Sequence, residues 1–183
     1  MYVSSTNDEH RLTLDAMVDL ANALQDDTHS DLRPQLVEAG FSRARDASAA
    51  SIARVADRFR ALLPFLIALP ELEAEAAAAR VTEELTELPI TPSIVDHDSS
   101  GAHIHWTPPT ARFDDQVLAD VFMALAQEVC DNGTIRFGMC GADDCDHLFY
   151  DATRNRSKRF CADQRCASRT HTADHRKRRA ADM

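Results

Sequence analysis

The sequence predicts an α+β protein that is mainly helical. An N-terminal helical domain with one β-hairpin, residues 1–133, precedes a small cysteine-rich module, residues 134–183, that ends in a basic helix. Three observations predict this. Apolar residues recur at helical spacing through most of the first 130 positions; one stretch near position 100 switches to β-branched residues around a turn; four of the five cysteines fall in the last 44 residues as two equally spaced pairs.

In the first helix, roughly 11–26, Leu14, Met17, Ala21 and Leu24 repeat every three or four positions. A short helix near 31–39 is stopped by Gly40. Ile52, Val55, Phe59, Leu62, Leu63 and Leu66 mark a longer helix at about 47–68, which Pro64 should kink or end. Pro70 is suited to the first position of the next helix, which alanines and glutamates carry to about Leu88. Strands at about 92–97 and 102–107 flank the turn residues 98–101, Asp-Ser-Ser-Gly. His103 and His105 share a strand face there and, with His97, raise the question of a metal; a solvated strand face is the simpler reading. Trp106 reads as core. Asp114 is suited to cap a helix at about 115–130 with Val117, Val121, Ala124, Leu125 and Val129 on its inner face. Cys130 falls on the apolar side of that helix and reads as a buried free thiol. Asp131-Asn132-Gly133 ends it and marks the domain boundary.

Charge divides the chain. Residues 1–150 carry 10 Arg/Lys against 26 Asp/Glu, a net −16, while residues 151–183 carry 10 against 4, a net +6. The acidic part should repel nucleic acid and the tail should attract it. The first ten residues, MYVSSTNDEH, lack a basic start and an apolar stretch, and the longest apolar run, 61–69, is too short to span a bilayer. A cytoplasmic protein without membrane contact is expected. No serine–histidine–aspartate pattern, glycine-rich phosphate loop or metalloprotease signature is present, so a non-enzyme is expected, with an enzyme in the N-terminal domain the weakest rival.

The cysteines read Cys140-x4-Cys145, fifteen residues, then Cys161-x4-Cys166. Zinc in structural sites takes four tetrahedral ligands, usually thiolates or imidazoles, and two cysteine pairs joined by a loop supply them. The four-residue gaps are wider than the commonest two-residue knuckle. Disulfides, an iron–sulfur site and chance spacing stay open as rivals. Leu148, Phe149, Tyr150 and Phe160 are expected to wrap the metal in a small apolar core. His171 and His175 are spare ligands that four cysteines make unnecessary. Arg154, Arg156, Lys158 and Arg159 crowd the loop between the pairs, where part of their charge can offset the thiolates. Beyond Ala162 the pattern is helical. Ala162, Cys166, Thr170 and Ala173 are expected inward, with Arg165, Arg169, Thr172, Arg176 and Arg179 on an outer stripe suited to phosphates or guanine edges. A solvated basic face is the plainer alternative.

The stretch from 140 to 179 resembles the C-terminal module of CGNR zinc-finger proteins. Their pattern is a first cysteine pair, Phe-x-Asp, a Ser/Thr-Arg-Asn loop with basic residues, an aromatic-Cys, and Cys-Gly-Asn-Arg opening a basic helix. Here these read Cys140 and Cys145, Phe149-Tyr150-Asp151, Thr153-Arg154-Asn155, Phe160-Cys161 and Cys166-Ala167-Ser168-Arg169. Ala167 and Ser168 depart from the tetrad; Cys166 and Arg169 keep it. More loosely, Leu20-Ala21-Asn22-Ala23-Leu24 is similar to the opening helix of the ABATE domain that commonly precedes the module. The resemblance implies a stress-related transcription regulator that binds DNA; Arg154, Arg156, Lys158, Arg159, Arg165, Arg169, Arg176 and Arg179 are the residues expected to make the contacts, and Zn2+ is the expected cofactor. A homodimer and an unknown small-molecule effector fit such a regulator. A protein- or RNA-interaction module is the alternative.

Overall fold

The structure, a computed structural model, describes residues 5–26, 31–41, 43–96 and 102–181; His97 and the expected turn at 98–101 lie outside them. It is mainly helical with two small antiparallel hairpins. The order is α1 (Ser5–Gln25), α2 (Arg33–Glu38), α3 (Ala49–Ala68), α4 (Ala74–Thr86), β1 (Ser93–Val95), β2 (His103–His105), α5 (Phe113–Asn132), β3 (Phe137–Met139), β4 (Leu148–Tyr150) and α6 (Gln164–Ala181). No helix among the described residues is long and apolar enough to cross a membrane.

The helical periodicity marks the faces that are buried. Leu14, Met17, Ala21 and Leu24 of α1, Ile52, Val55, Phe59, Leu62 and Leu66 of α3, and the five apolar positions expected on α5 are all in the core. α5 packs against α1, α3 and α4. Ser48 caps α3, its hydroxyl accepting from the Ser51 N–H at 3.1 Å. Pro64 does not end α3, which runs on to Ala68.

Three expectations are corrected. Pro70 does not begin a long helix: it sits in a 3-10 turn at Leu69–Glu71, the chain extends at Leu72, and α4 starts only at Ala74. Asp114 is not the cap of α5. It lies one residue inside the helix with its side chain fully buried, and takes Arg54 at 3.2 Å, Arg58 at 3.3 Å and Arg112 at 2.7 Å. Burial alone raises its pKa; the hydrogen bonds and charges of these arginines outweigh that and hold the carboxyl below its ordinary value. The helix period places Cys130 only to within one side of α5, and its thiol is exposed rather than buried.

The first hairpin pairs Ser93 with His105, Ile94 with Ile104 and Val95 with His103. Ile94 and Ile104 stand outward, 80% and 44% exposed, while His103 and His105 on the opposite face are half-buried. The histidine face is thus partly covered rather than fully solvated. Trp106 is partly buried against the core.

Gly133 ends α5 with a φ of 65°, a left-handed conformation that glycine adopts without strain. Packing continues across that point: Phe137, Leu148 and Tyr150 belong to the same core as the helices. Asn22 joins α1 to β4 as a strand would, its Nδ2 donating to the Leu148 carbonyl and its Oδ1 accepting from the Leu148 N–H, both at 2.9 Å.

Candidate metal centre

Cys140 follows β3, and its N–H donates to the His147 carbonyl at 2.8 Å; the Cys145 N–H donates to Ala142 at 3.1 Å. These bonds close the first pair into a turn. The second pair is closed by Asp163, which precedes α6. Its carbonyl accepts from Cys166 N–H at 3.0 Å and its carboxylate accepts from Arg165 N–H at 2.9 Å, as a helix cap does. The two turns meet at Gly141, whose N–H donates to the Arg159 carbonyl at 2.8 Å. A Cβ at Gly141 would lie only 3.0 Å from that same oxygen, so the contact needs glycine.

The result is one cluster. The sulfurs of Cys140, Cys145, Cys161 and Cys166 all lie within 4.8 Å of one another, and the Cys145–Cys161 and Cys161–Cys166 separations are both 3.8 Å. Thiolates about 2.3 Å from a tetrahedral ion are about 3.8 Å apart, so the sulfurs fit such an ion. The cysteines are free thiols, not disulfides. As thiols they hold protons: burial pushes Cys161 up to about 11 and raises Cys166 also. Burial acts on Cys140 as well, but hydrogen bonds from the backbone of Cys161 and Ala142 outweigh it, and its thiol sits below the ordinary value. A metal ion must displace these protons, so binding releases them.

The apolar wrapping differs from the expectation. Phe160 and Ala142 pack with the cysteines, and Phe160 meets the His171 ring edge-on at 5.8 Å. Leu148 and Tyr150 instead turn into the main core, where the Tyr150 hydroxyl donates to Glu128 at 2.8 Å. Phe149 lies against Gly138, with the Lys158 ammonium 5.8 Å above its ring. His171 is exposed, and the side chain of His175 lies outside the described residues.

These features coincide with a known module. Residues 136–179 match the family model of the CGNR zinc finger. No curated protein matches the chain. The matched segment begins at Arg136, a residue that spacing alone did not single out. Its guanidinium donates to the carbonyls of Asp151 at 2.9 Å and Thr153 at 3.1 Å, holding the start of the basic loop against the end of β4. Asp151 closes the loop from inside. Its buried carboxylate accepts from the N–H groups of Thr153 and Lys158, both at 2.8 Å, and these bonds overcome burial to keep its pKa below the ordinary value. Asp-x-Thr is a turn signal, and it is what would have found this role in the sequence.

The eight basic residues expected to serve one interface fall into two sets. Arg154, Arg156, Arg159, Arg176 and Arg179 are exposed. The other three are engaged by hydrogen bonds within the chain, although Arg165 and Arg169 are also exposed. Lys158 donates to the Tyr150 carbonyl at 3.1 Å, and Arg165 pairs with Asp163 at 2.8 Å, pulling that carboxyl down to about 2. Arg169 reaches Asp144 at 3.1 Å and the sulfur of Cys166 at 3.5 Å. It thus braces the cysteine cluster. Along α6 the expected inward row is shorter than its period suggests. Cys166 is buried and Thr170 half-buried, but Ala162 and Ala173 are exposed, as is every described side chain from His171 onward.

Proposed function

We propose that this protein is a transcriptional regulator whose zinc finger binds DNA. The observation that carries the reading is the exposed set Arg154, Arg156, Arg159, Arg176 and Arg179, displayed by a loop and a helix that a four-cysteine metal site braces. Zinc is the metal of this proposal, since four thiolates in a tetrahedral arrangement suit it and the matching family is a zinc finger. Four cysteine ligands leave no position for water, so the ion is structural and the protein's work is binding rather than catalysis. The ABATE-like stretch at residues 20–24 accords with the same reading. A single such module covers about 600–1,000 Å² of interface, so a homodimer on a palindromic site belongs to the proposal.

The test is selection of bound duplexes from a random DNA pool by the zinc-loaded full chain, followed by affinity measurement across salt concentrations. About four phosphate contacts give a slope of log affinity against log salt near −3.6, at roughly −0.9 per contact. Replacing Arg154, Arg156, Arg159, Arg176 and Arg179 by alanine should abolish binding and flatten the slope. Equal binding by that variant, or a preference for RNA or an acidic protein over DNA, would overturn the proposal.

A further inference from the structure

On β2, alternate side chains share a face, and His103 and His105 are two residues apart. Their Nε2 atoms are 3.1 Å from one another, with the rings tilted by 52° and their centroids 5.0 Å apart. Two imidazoles bound to one tetrahedral ion at about 2.0–2.1 Å place their nitrogens roughly 3.3 Å apart. The pair is therefore almost at ligand spacing before any ion arrives. The surrounding sequence pattern is also the opposite of what burial alone favours. This hairpin exposes Ile94 and Ile104 and half-buries its histidines, forgoing apolar burial of about 25 cal/mol per Å².

We propose that His103 and His105 form a second metal site, separate from the cysteine cluster, for a divalent first-row transition ion such as nickel or zinc. Imidazole suits these ions, whereas magnesium and calcium require oxygen ligands. Among the described residues the histidine pair supplies two positions to such an ion. The net −16 of residues 1–150 favours the approach of a cation.

The experiment uses the full chain without an affinity tag, its cysteine site first loaded with one equivalent of zinc. Nickel(II) is then titrated in by calorimetry, with elemental analysis after gel filtration. Wild type should take up one further equivalent. His103→Gln and His105→Gln should each lose that equivalent while retaining the first. No second equivalent in wild type, or its persistence in the double variant H103Q/H105Q, would overturn the proposal. Should the double variant fail to fold, paramagnetic broadening in wild type decides: lines of Val95, His103 and His105 should broaden first, and broadening confined to other residues would refute the site.

Discussion

The helical body and the cysteine module are held by different physics. The body buries large side chains such as Met17, Phe59, Phe122 and Leu125 in one continuous core. The module's own cluster is four cysteines, Ala142 and Phe160. Burial supplies the first region with many small contributions that tolerate the loss of any one. The second has almost no apolar reserve, and concentrates its stability in four sulfurs that must all be present. The interface between them belongs to the body: β4 carries Leu148 and Tyr150 into the helical core while its neighbours Cys140 and Cys145 face the metal centre.

Metal removal should separate the regions most sharply. Structural zinc in small modules contributes about 10–16 kcal/mol of apparent binding energy. Chelation should abolish hydrogen-exchange protection around Cys161, Cys166 and the start of α6 while leaving α3 and α5 protected. Simultaneous loss of both would show that the body depends on the metal. Leu148→Ala should do the converse. It removes a fully buried side chain from the main core and should cost about 2–5 kcal/mol in denaturant unfolding of the helices, with one metal per chain retained. Arg169→Ala comes next. Loss of its contact to the Cys166 sulfur should speed metal release to a chelator, with affinity falling 10–100-fold, and Arg169→Lys should restore part of it. Unaltered metal retention in Arg169→Ala would leave this arginine available for nucleic acid alone.

The smallest effect concerns acid. The Asp114 carboxyl has a lowered pKa in the folded chain, so its stabilisation is present above the ordinary carboxylate value near 3.9 and is lost as pH falls through the lower folded value. Arg54 and Arg112 are 44% and 58% exposed, and solvent screens them, so about 1 kcal/mol is expected. Unfolding curves between pH 6 and pH 2, by roughly that amount, should fall less steeply in Asp114→Asn than in wild type.

Much of this organisation was legible in the sequence, for a physical reason. Helical periodicity reports burial on one element, so the inward residues of α1, α3 and α5 could be read directly. The cysteine spacing likewise reports its own geometry. What periodicity cannot report is which of two cores a short strand feeds. Leu148, Phe149 and Tyr150 lie between the cysteine pairs in sequence, but the strand they form packs on α1. The arginine stripe meets the same limit. A helical wheel registers angle, not partners, and so could not tell Arg165 and Arg169, which meet Asp163 and Asp144, from Arg176 and Arg179. Asp114 looked like a cap because short acidic residues suit that place; three arginines from two segments drew it inside instead.

The position of Cys166 has a consequence for α6 itself. A helix rich in arginine, with no described side chain buried beyond its second turn, gains little from packing, and starting a helix in water is costly, with a nucleation constant of about 10⁻³. Cys166 is the third residue of α6, fixed between the metal cluster and the Asp163 cap. The difficult first turn is therefore formed at the metal, and the remaining turns need only propagate from it. The arginines at the far end owe their helical spacing to a seed several turns away, and an ion held by the four cysteines would fix the point from which that charge is displayed.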